Sequence, residues 1–338
     1  MDSEGPKLRR IVVTGGAGFI GSHFVRLLLR EHDCEVVNFD ALRYSGNLEN
    51  VRDVAEDPRH TFIQGDIRDA AQVRAAIEGA DAIVNFAAET HVDRSIVEPG
   101  DFIQTNVHGV YVLAEAAKAA GIARFVQVST DEVYGSINEG SFSETDRLNP
   151  RNPYSASKAG GELLARSYYT THGLPVLVTR GSNTYGPNQY PEKMMPLFVT
   201  NALDDQFIPV YGDGRNVRDW LHVEDHCRGI DIVLRHGQPG EVYNIAGRCE
   251  MPNMVITKRI LAILGKPESL IRHVQDRPGH DFRYSIDPSK LEGLGWTRTV
   301  GFEAGLAATI KWYTENRPWW EAIKSGEFRE YYRRQYSA

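Results

Sequence analysis

The chain has 338 residues, 41% of them hydrophobic, so it can bury a large core as one big domain or as two lobes. Its net charge of −7, without a long basic run, argues against a nucleic-acid partner. No stretch is long and apolar enough to predict a membrane span, and the short charged N-terminus is not typical of a secretory signal. The three cysteines are scattered and odd in number, which predicts neither a disulfide framework nor a metal site. We therefore expect a cytoplasmic protein without a bound metal.

Short apolar runs alternate with amphipathic stretches through the first half of the chain. Six runs predict strands, several of them too continuous to be half exposed: 11–13, 35–39, 61–63, 82–84, 125–128 and 176–178. Four stretches between them predict helices: 19–30, 70–77, 107–120 and 157–172. This alternation is typical of an α/β fold with a doubly wound parallel (Rossmann) sheet. Ligands of such sheets bind at the carboxyl ends of the strands.

Turn signals become frequent after about Ser182, which indicates a second, smaller lobe. We assign residues 183–217 and 248–338 to this lobe, and residues 8–182 and about 218–247 to the Rossmann domain. The run 242–245 predicts a strand that rejoins the large sheet, so the two parts are expected to interweave. The last residues, 328–338, are aromatic and basic, and both a docked helix and a frayed tail remain open for them.

A glycine-rich turn connects the first predicted strand to the first helix. The run is Thr14-Gly15-Gly16-Ala17-Gly18-Phe19-Ile20-Gly21. Gly15 permits the tight turn, Gly18 allows the backbone to approach a pyrophosphate, and Gly21 lets the helix pack closely on the strand. Phe19 and Ile20 open the helix, whose first N–H groups favour an anion. The turn therefore predicts a dinucleotide-binding site.

Residues that follow the next strands complete the predicted cofactor site. Asp40 closes the second strand about 20 residues on, where a carboxylate can accept both ribose hydroxyls. The same carboxylate repels a 2′-phosphate, so NAD is favoured over NADP. Asp66 and Ile67 after the third strand, and Ala87 after the fourth, are placed to line the adenine and nicotinamide sides. Position alone also allows a helix cap and packing residues there.

Two motifs in the middle of the chain carry reactive groups. Tyr154 and Lys158 are spaced i, i+4 and project from one helix face, so the ammonium is expected to lower the tyrosine pKa toward neutrality. After a dinucleotide turn this pair is typical of a short-chain dehydrogenase/reductase. Asp131 and Glu132 follow Thr130 at the end of a predicted strand. They could merely cap the following segment, but an acid and a base at this place indicate a step beyond oxidation, the removal of water.

Motifs from about residue 9 to residue 320 resemble the dTDP-glucose 4,6-dehydratase family. Besides the glycine turn and the Tyr154–Lys158 pair, these are AAETHVDRS at 87–95, STDEVYG at 129–135, SNTYGP at 182–187, PEK at 191–193, RDW at 218–220 and RPGHD at 277–281. The Thr-Asp-Glu run and the later arginine motifs are the more specific of them. Thr90 and Thr184 depart from the pattern, because many members carry Ser and Asn at these positions.

The resemblance implies a reaction and a role for each central residue. Tyr154 would take the proton of the sugar C4 hydroxyl while hydride passes from C4 to NAD, with Thr130 holding the same oxygen. Glu132 would then remove the C5 proton, which the new C4 ketone acidifies. Asp131, kept protonated, would donate to the departing C6 hydroxyl before the hydride returns to C6. The product would be a nucleotide 4-keto-6-deoxy sugar, and Lys158 would face the nicotinamide ribose.

The resemblance also implies a grip on the nucleotide sugar by nine further residues. Glu89, Thr90 and His91 would lie near the glucose hydroxyls. The candidates for the diphosphate end and the base are Asn183, Lys193, Tyr211, Arg218, Arg277 and His280. For three of them a structural alternative stays open: a surface ion pair of Arg218 with Asp219 or Asp213, a structural hydrogen bond of His280, and a core position for Tyr211.

Several alternatives remain at this stage. UDP-glucose is an alternative substrate to dTDP-glucose, because one thymine methyl changes binding by only about 1–3 kcal/mol. A nucleotide-sugar 4-epimerase would use Thr130, Tyr154 and Lys158 but would need no acid–base pair. Asp40 and the RPGH run disfavour a GDP-mannose dehydratase, and the intact Tyr–Lys pair disfavours a non-catalytic NAD-binding regulator. The resemblance further implies a homodimer joined through the predicted helices 107–120 and 157–172.

Overall fold

A large parallel sheet forms the centre of the molecule. The computed structural model describes residues 7–325 together with Phe328, Tyr332 and Gln335. Within this part of the chain the strands are β1 (Arg10–Thr14), β2 (Glu35–Asp40), β3 (His60–Gln64), β4 (Ala82–Asn85), β5 (Arg124–Thr130), β6 (Val176–Gly181), β7 (Asn183–Tyr185), β8 (Ile208–Tyr211), β9 (Val217–His222), β10 (Val242–Ile245), β11 (Glu250–Pro252) and β12 (Ile271–Val274). The large sheet has the order β10-β6-β5-β4-β1-β2-β3, with every neighbouring pair parallel. The predicted doubly wound α/β fold is confirmed.

Helices cover both faces of this sheet, and others form a separate apolar core. They are α1 (Phe19–Glu31), α2 (Ala70–Ala76), α3 (Val92–Val97), α4 (Gly100–Ile103), α5 (Val110–Ala120), α6 (Pro153–His172), α7 (Met194–Leu203), α8 (Val223–His236), α9 (Asn253–Leu264), α10 (Ser289–Glu292), α11 (Phe302–Glu315) and α12 (Arg317–Ile323). Every helix among the described residues is too short or too polar to cross a bilayer.

Alternate residues of each strand serve two separate apolar cores. Val13 packs with α1 and α8 on one face, and its neighbour Val12 packs with α2, α5 and α6 on the other. This follows from the two-residue period of side chains along a strand. A third core belongs to α7, α9 and α11 beside two small sheets, which have the orders β11-β9-β7 and β12-β8.

Part of the C-terminal segment packs on the third core. Phe328 is buried there, and Asn201 Nδ2 lies 2.9 Å from Tyr332 Oη. Gln335 Nε2 donates to Tyr211 Oη at 2.9 Å. The other residues of the segment 328–338 lie outside the described part of the chain, so the choice between a docked helix and a frayed tail stays open for them.

The structure corrects the bounds of two predicted helices. The helix predicted at 107–120 is preceded by a π-helical turn, Gln104–Gly109, and its α-helical part starts at Val110. The helix predicted at 157–172 starts at Pro153, because the side chain of Asn152 accepts a hydrogen bond from the backbone N–H of Ser155 and caps it. Tyr154 is therefore helical, one turn before Lys158.

A glycine of α6 allows the π-helical turn to approach closely. A methyl group on Gly161 would overlap the Asn106 carbonyl oxygen, whereas one on Gly160 would meet only the Val107 side chain, at 3.2 Å. Asn106 Nδ2 also donates to Ser157 Oγ at 2.9 Å. This contact fixes α6, and with it Tyr154 and Lys158, against the segment that follows β4.

The two adjacent glycines allow a matched test of this packing. Both changes to alanine favour helix formation by up to about 1 kcal/mol. We expect Gly161→Ala nevertheless to lower the free energy of unfolding by about 2–3 kcal/mol, because backbone atoms cannot yield. Gly160→Ala should stay within about 1 kcal/mol of the wild type. Urea unfolding measures both, and equal stabilities of the two variants would contradict the packing described.

Candidate active site

The glycine-rich turn between β1 and α1 forms one end of a long cleft at the carboxyl edge of the sheet. Gly15 has a positive φ of 70°, and a methyl group there would lie 2.6 Å from the Ala87 backbone nitrogen. A methyl group on Gly21 would overlap the Gly15 carbonyl oxygen. The turn thus needs glycine at both positions, and it leaves its backbone open to a ligand.

The second and third strands supply the next part of the cleft wall. Asp40 is buried, and its two carboxylate oxygens accept hydrogen bonds from the backbone N–H groups of Ala17 (3.0 Å) and Leu42 (2.8 Å). Burial raises the pKa of Asp40, and these two hydrogen bonds oppose that shift. Asp66 lines the cleft while paired with Arg68 at 2.7 Å.

All residues predicted for the cofactor line this one cleft, together with the predicted catalytic group. The first set is Gly15, Gly18, Phe19, Ile20, Gly21, Asp40, Asp66, Ile67 and Ala87, and the second is Thr130, Asp131, Glu132, Tyr154 and Lys158. The cleft also contains buried polar atoms without a hydrogen-bond partner within the protein. They include Ser129 Oγ and His226 Nε2.

A short turn directly after β5 presents the two adjacent carboxyl groups. Thr130 caps the 3-10 turn Asp131–Tyr134, because its Oγ1 accepts a hydrogen bond from the backbone N–H of Glu132 at 3.3 Å. The same hydroxyl donates to Asp131 Oδ1 at 3.2 Å. Asp131 is buried with its Oδ2 unpartnered, whereas Glu132 is only half-buried and lies 3.5 Å from the hydroxyl of Tyr284.

The two neighbouring carboxyl groups differ in burial, since Asp131 is buried and Glu132 is half-buried. Burial raises the pKa of Asp131 well above the usual range, and the negative charges of Glu132 and Asp219 add to the shift. The geometry therefore favours a protonated Asp131 beside the less buried Glu132. A general acid requires such a held proton.

The expectation for the pKa of Tyr154 is wrong in this structure. Burial, with the charges of Glu132 and Asp131, raises that pKa above its usual value, and only the hydrogen bond with Thr130 opposes the shift. Lys158 is not among the causes of this shift, and its Nζ donates to the Val128 carbonyl at 2.7 Å. Burial lowers the pKa of Lys158 to about 8, against the charge of Glu162.

Four of the predicted sugar-binding residues line the same cleft: Glu89, Thr90, Asn183 and Lys193. The Lys193 ammonium donates to the Thr90 carbonyl at 2.6 Å, which joins the start of α7 to the loop after β4. Asn183 Oδ1 has no partner within the protein. Glu89 is buried, and its backbone N–H donates to Asn106 Oδ1 at 2.9 Å.

The other five predicted residues form a cluster beside this cleft: His91, Tyr211, Arg218, Arg277 and His280. Asp93 joins part of it, because it accepts hydrogen bonds from Tyr211 Oη at 3.0 Å and from Arg277 Nη1 at 3.3 Å. Arg218 lies over the Tyr284 ring, 4.2 Å from its centroid, and Tyr284 reaches Glu132. The cluster therefore connects to the turn Asp131–Tyr134 through Tyr284.

The structure decides two of the structural alternatives. Arg218 is buried and donates to main-chain carbonyls and toward His280 Nε2 at 3.0 Å, so the alternative of a surface ion pair with Asp219 or Asp213 does not hold. Asp219 instead accepts from backbone N–H groups. The structural hydrogen bond of His280 is present, since its Nδ1 lies 2.6 Å from Asp276.

Sequence reasoning missed two residues that organise this region, Asp93 and Tyr284. Asp93 stands within the quoted run 87–95, but nothing in that run indicates its contacts with Tyr211 and Arg277. Tyr284 follows the 277–281 motif by three residues. Its proximity to the RPGHD run is the one signal that could have pointed to it.

Comparison with known proteins agrees with this geometry. The family model of GDP-mannose 4,6 dehydratase matches residues 12–309. The dTDP-glucose 4,6-dehydratase of Streptomyces niveus is 52% identical over 322 residues, which cover 94% of this chain and 96% of the relative. A crystal structure of the dTDP-glucose 4,6-dehydratase of Streptomyces venezuelae, with NAD and dTDP bound, has a TM-score of 0.92 at 53% identity and covers 93% of this chain and 100% of its own. The crystal structure of the UDP-glucose 4-epimerase of Thermus thermophilus has a TM-score of 0.84 at 31% identity. The match covers 91% of this chain and 99% of the epimerase chain.

The raised pKa of Asp131 predicts a pH-dependent effect on stability. Asp131 holds its proton more tightly in the folded protein than in the unfolded chain, so stability falls as pH rises toward the raised pKa. Asn cannot ionise. We therefore compare the Tm of Asp131→Asn with that of the wild type at each pH. The difference, variant minus wild type, should rise by a few degrees between about pH 5 and about pH 8.

Asp213 provides the control for this measurement. It is exposed and paired with Arg215, and hydrogen bonds from Arg215 lower its pKa. It is thus ionised across the whole range, and the Tm difference of Asp213→Asn should not change with pH. A constant difference for Asp131→Asn, measured by differential scanning calorimetry, would contradict a protonated Asp131.

Proposed function

Because the chain belongs to the dTDP-glucose 4,6-dehydratase family, we propose that it converts dTDP-glucose to dTDP-4-keto-6-deoxyglucose with NAD as cofactor. One observation carries this proposal. Asp131, which is buried, and Glu132, which is half-buried, open on the same cleft as Tyr154 and Lys158. An oxidation alone needs only the second pair, whereas loss of water needs an acid and a base as well.

The residues at one end of the cleft fit a dinucleotide. The glycine turn leaves backbone N–H groups at the start of α1 open to a pyrophosphate, and Asp40 offers a carboxylate to a ribose and disfavours a 2′-phosphate. Asp66, Ile67 and Ala87 would enclose the rings. When bound, NAD accepts a hydride from the sugar C4, returns it to C6, and in its oxidised form brings a positive charge into the cleft.

Tyr154 is the base of the oxidation step in this proposal. Its phenol keeps its proton in the structure because burial and two carboxyl groups raise its pKa. A positive charge in the cleft offsets that shift, and Thr130, which hydrogen-bonds Tyr154, is placed to hold the C4 oxygen as well. Lys158 is buried beside the same edge and adds a cationic donor for the ribose.

Glu132 and Asp131 divide the elimination of water. Glu132 is half-buried and takes the C5 proton once C4 is a ketone. Asp131 delivers its proton to the C6 hydroxyl as the C–O bond breaks, since its carboxyl is the one that burial keeps neutral.

We assign NAD binding to a domain of residues 8–182 and about 218–247. We assign binding of the nucleotide sugar to a smaller lobe of residues 183–217 and 248–338. Lys193 and Arg218 donate to main-chain carbonyls rather than to carboxylates, so their charge is available to a diphosphate. Burial lowers the pKa of both groups, which a bound anion would reverse. The remaining proposed contacts are those of Glu89, Thr90 and His91 with glucose, and of Asn183, Tyr211, Arg277 and His280 with the nucleotide end.

Product analysis tests the reaction. With dTDP-glucose, the product should be lighter by one water and, when the reaction is run in deuterated water, should carry one deuterium at C5. Substrate with deuterium at C4 should transfer it to C6 in ordinary water. A product of unchanged mass would indicate an epimerase instead. Faster turnover of UDP-glucose than of dTDP-glucose would identify UDP-glucose as the substrate. NMR and mass spectrometry read both outcomes.

Two isosteric variants separate the roles of the carboxyls. Glu132→Gln should lower C5 exchange by roughly 10²-fold or more while some C4 oxidation remains. Asp131→Asn should slow water loss more than oxidation. Equal losses of both steps in both variants would contradict this division of labour.

We also propose a cytoplasmic homodimer joined through α5 and α6. The three cysteines are free, which suits a reducing compartment. Large apolar side chains are exposed on these helices: Tyr111 on α5, and Leu163 and Tyr169 on α6. Burial of these side chains against a second copy of the chain would explain why they are exposed in the single chain.

Leu163 tests the dimer, with Ile263 on α9 as its control. Both are exposed to similar extents, 52% and 46%. We expect Leu163→Glu to halve the mass measured by light scattering, because a charge in the interface core is unpaired. Ile263→Glu should keep the dimer mass. A monomeric wild type, or a dimeric Leu163→Glu, would rule out this interface.

A further inference from the structure

A tyrosine at the end of the catalytic turn is buried behind the cleft. Tyr134 closes the turn Asp131–Tyr134, and its Oη donates to Asn244 Oδ1 of β10 at 2.9 Å. The same oxygen accepts a hydrogen bond from Arg180 of β6. Its ring stacks on Phe142 with a centroid distance of 5.0 Å. Tyr134 does not line the cleft, so it cannot touch a ligand there.

The partner of Tyr134 belongs to a fully buried ion pair. Arg180 and Glu162 are 1% and 0% exposed. The guanidinium donates to both carboxylate oxygens, through Nε at 3.1 Å and through Nη2. Such a bidentate pair fixes orientation as well as distance. Neither residue lines the cleft.

This network connects the two elements that carry the reactive groups. Glu162 is on α6, four residues after Lys158 and eight after Tyr154, so the three residues lie on the same side of this helix. Arg180 extends from β6 between α6 and the turn that holds Asp131 and Glu132. One guanidinium therefore bonds the helix of the oxidation pair to the turn of the elimination pair. Both bonds are shielded from water, which makes them stiff.

We propose that Tyr134, Arg180 and Glu162 are positioning residues that hold Asp131 and Glu132 at a fixed place relative to Tyr154 and Lys158. The proposal rests on the proposed function, because only a reaction with both steps needs the two pairs in register around one sugar. Oxidation uses groups on α6 and at the end of β5. Elimination additionally needs the turn after β5, and that turn is the part Tyr134 secures.

Tyr134→Phe removes the hydroxyl and leaves the ring stacked on Phe142. We expect a folded protein in which C5 exchange and water loss fall on the order of tenfold or more, since small displacements of a catalytic group are costly. C4 oxidation should fall much less, so the 4-keto-glucose nucleotide should accumulate. Single-turnover quenching with mass spectrometry measures the ratio of keto intermediate to final product.

Tyr243→Phe is the matched control. Tyr243 is the neighbour of Asn244 on β10, is buried, and accepts one hydrogen bond from the backbone N–H of Gln238 at 2.8 Å. Its change to Phe likewise removes a tyrosine hydroxyl and its hydrogen bond, but away from the Asp131–Tyr134 turn. We expect it to lower Tm without changing the product ratio.

The outcomes separate the possible failures. Tyr134→Phe with a lower Tm but the wild-type ratio of C5 exchange to C4 oxidation would overturn the positioning role. A wild type that neither oxidises nor dehydrates dTDP-glucose would instead refute the proposed function. If Tyr134→Phe does not fold, Asn244→Ala releases the other bond of the same hydroxyl, and the same ratio decides.

Discussion

Burial of ionisable groups at the carboxyl edge of the large sheet governs this site. Burial is the largest cause of the pKa shifts of Asp131, Tyr154 and Lys158, and in each case it favours the neutral form. In the proposed reaction that state suits Asp131, which would donate a proton. It opposes the proposed role of Tyr154, which would accept one, and a positive charge close by would offset the shift. The same desolvation that suits the proposed acid therefore makes the proposed base dependent on a cationic ligand.

The location of the site could be predicted because it follows from local patterns and one topological rule. The glycine turn, Asp40 and the Thr-Asp-Glu run each follow an apolar strand in the sequence. In a parallel sheet all such positions meet at one edge. Strands β1, β4 and β5 are neighbours in the sheet, so the glycine turn and the carboxyl turn open on one cleft.

What could not be predicted depends on contacts between distant segments. Tyr284 approaches Glu132 from 152 residues away, and Tyr211 bonds to Asp93 from 118 residues away. Periodicity carries no information about such pairs. The pKa of Tyr154 was misjudged for a related reason: the i, i+4 spacing places Lys158 nearby, but it does not show that Tyr154 is buried close to Glu132 and Asp131, which raises the pKa. The start of α6 at Pro153 depended on a cap by Asn152, which a helical hydrophobic pattern does not show.

The fold alone does not distinguish a dehydratase from an epimerase, since an epimerase at 31% identity shares it with a TM-score of 0.84. The distinction lies in the environment of two adjacent residues. Asp131 is buried with an unpartnered carboxyl oxygen, and Glu132 is half-buried under the Tyr284 hydroxyl. Unequal surroundings of two carboxyl groups leave the more buried one, Asp131, holding its proton. In the proposed reaction that proton goes to the departing hydroxyl, whereas the Tyr–Lys pair alone could only remove and return hydrogen.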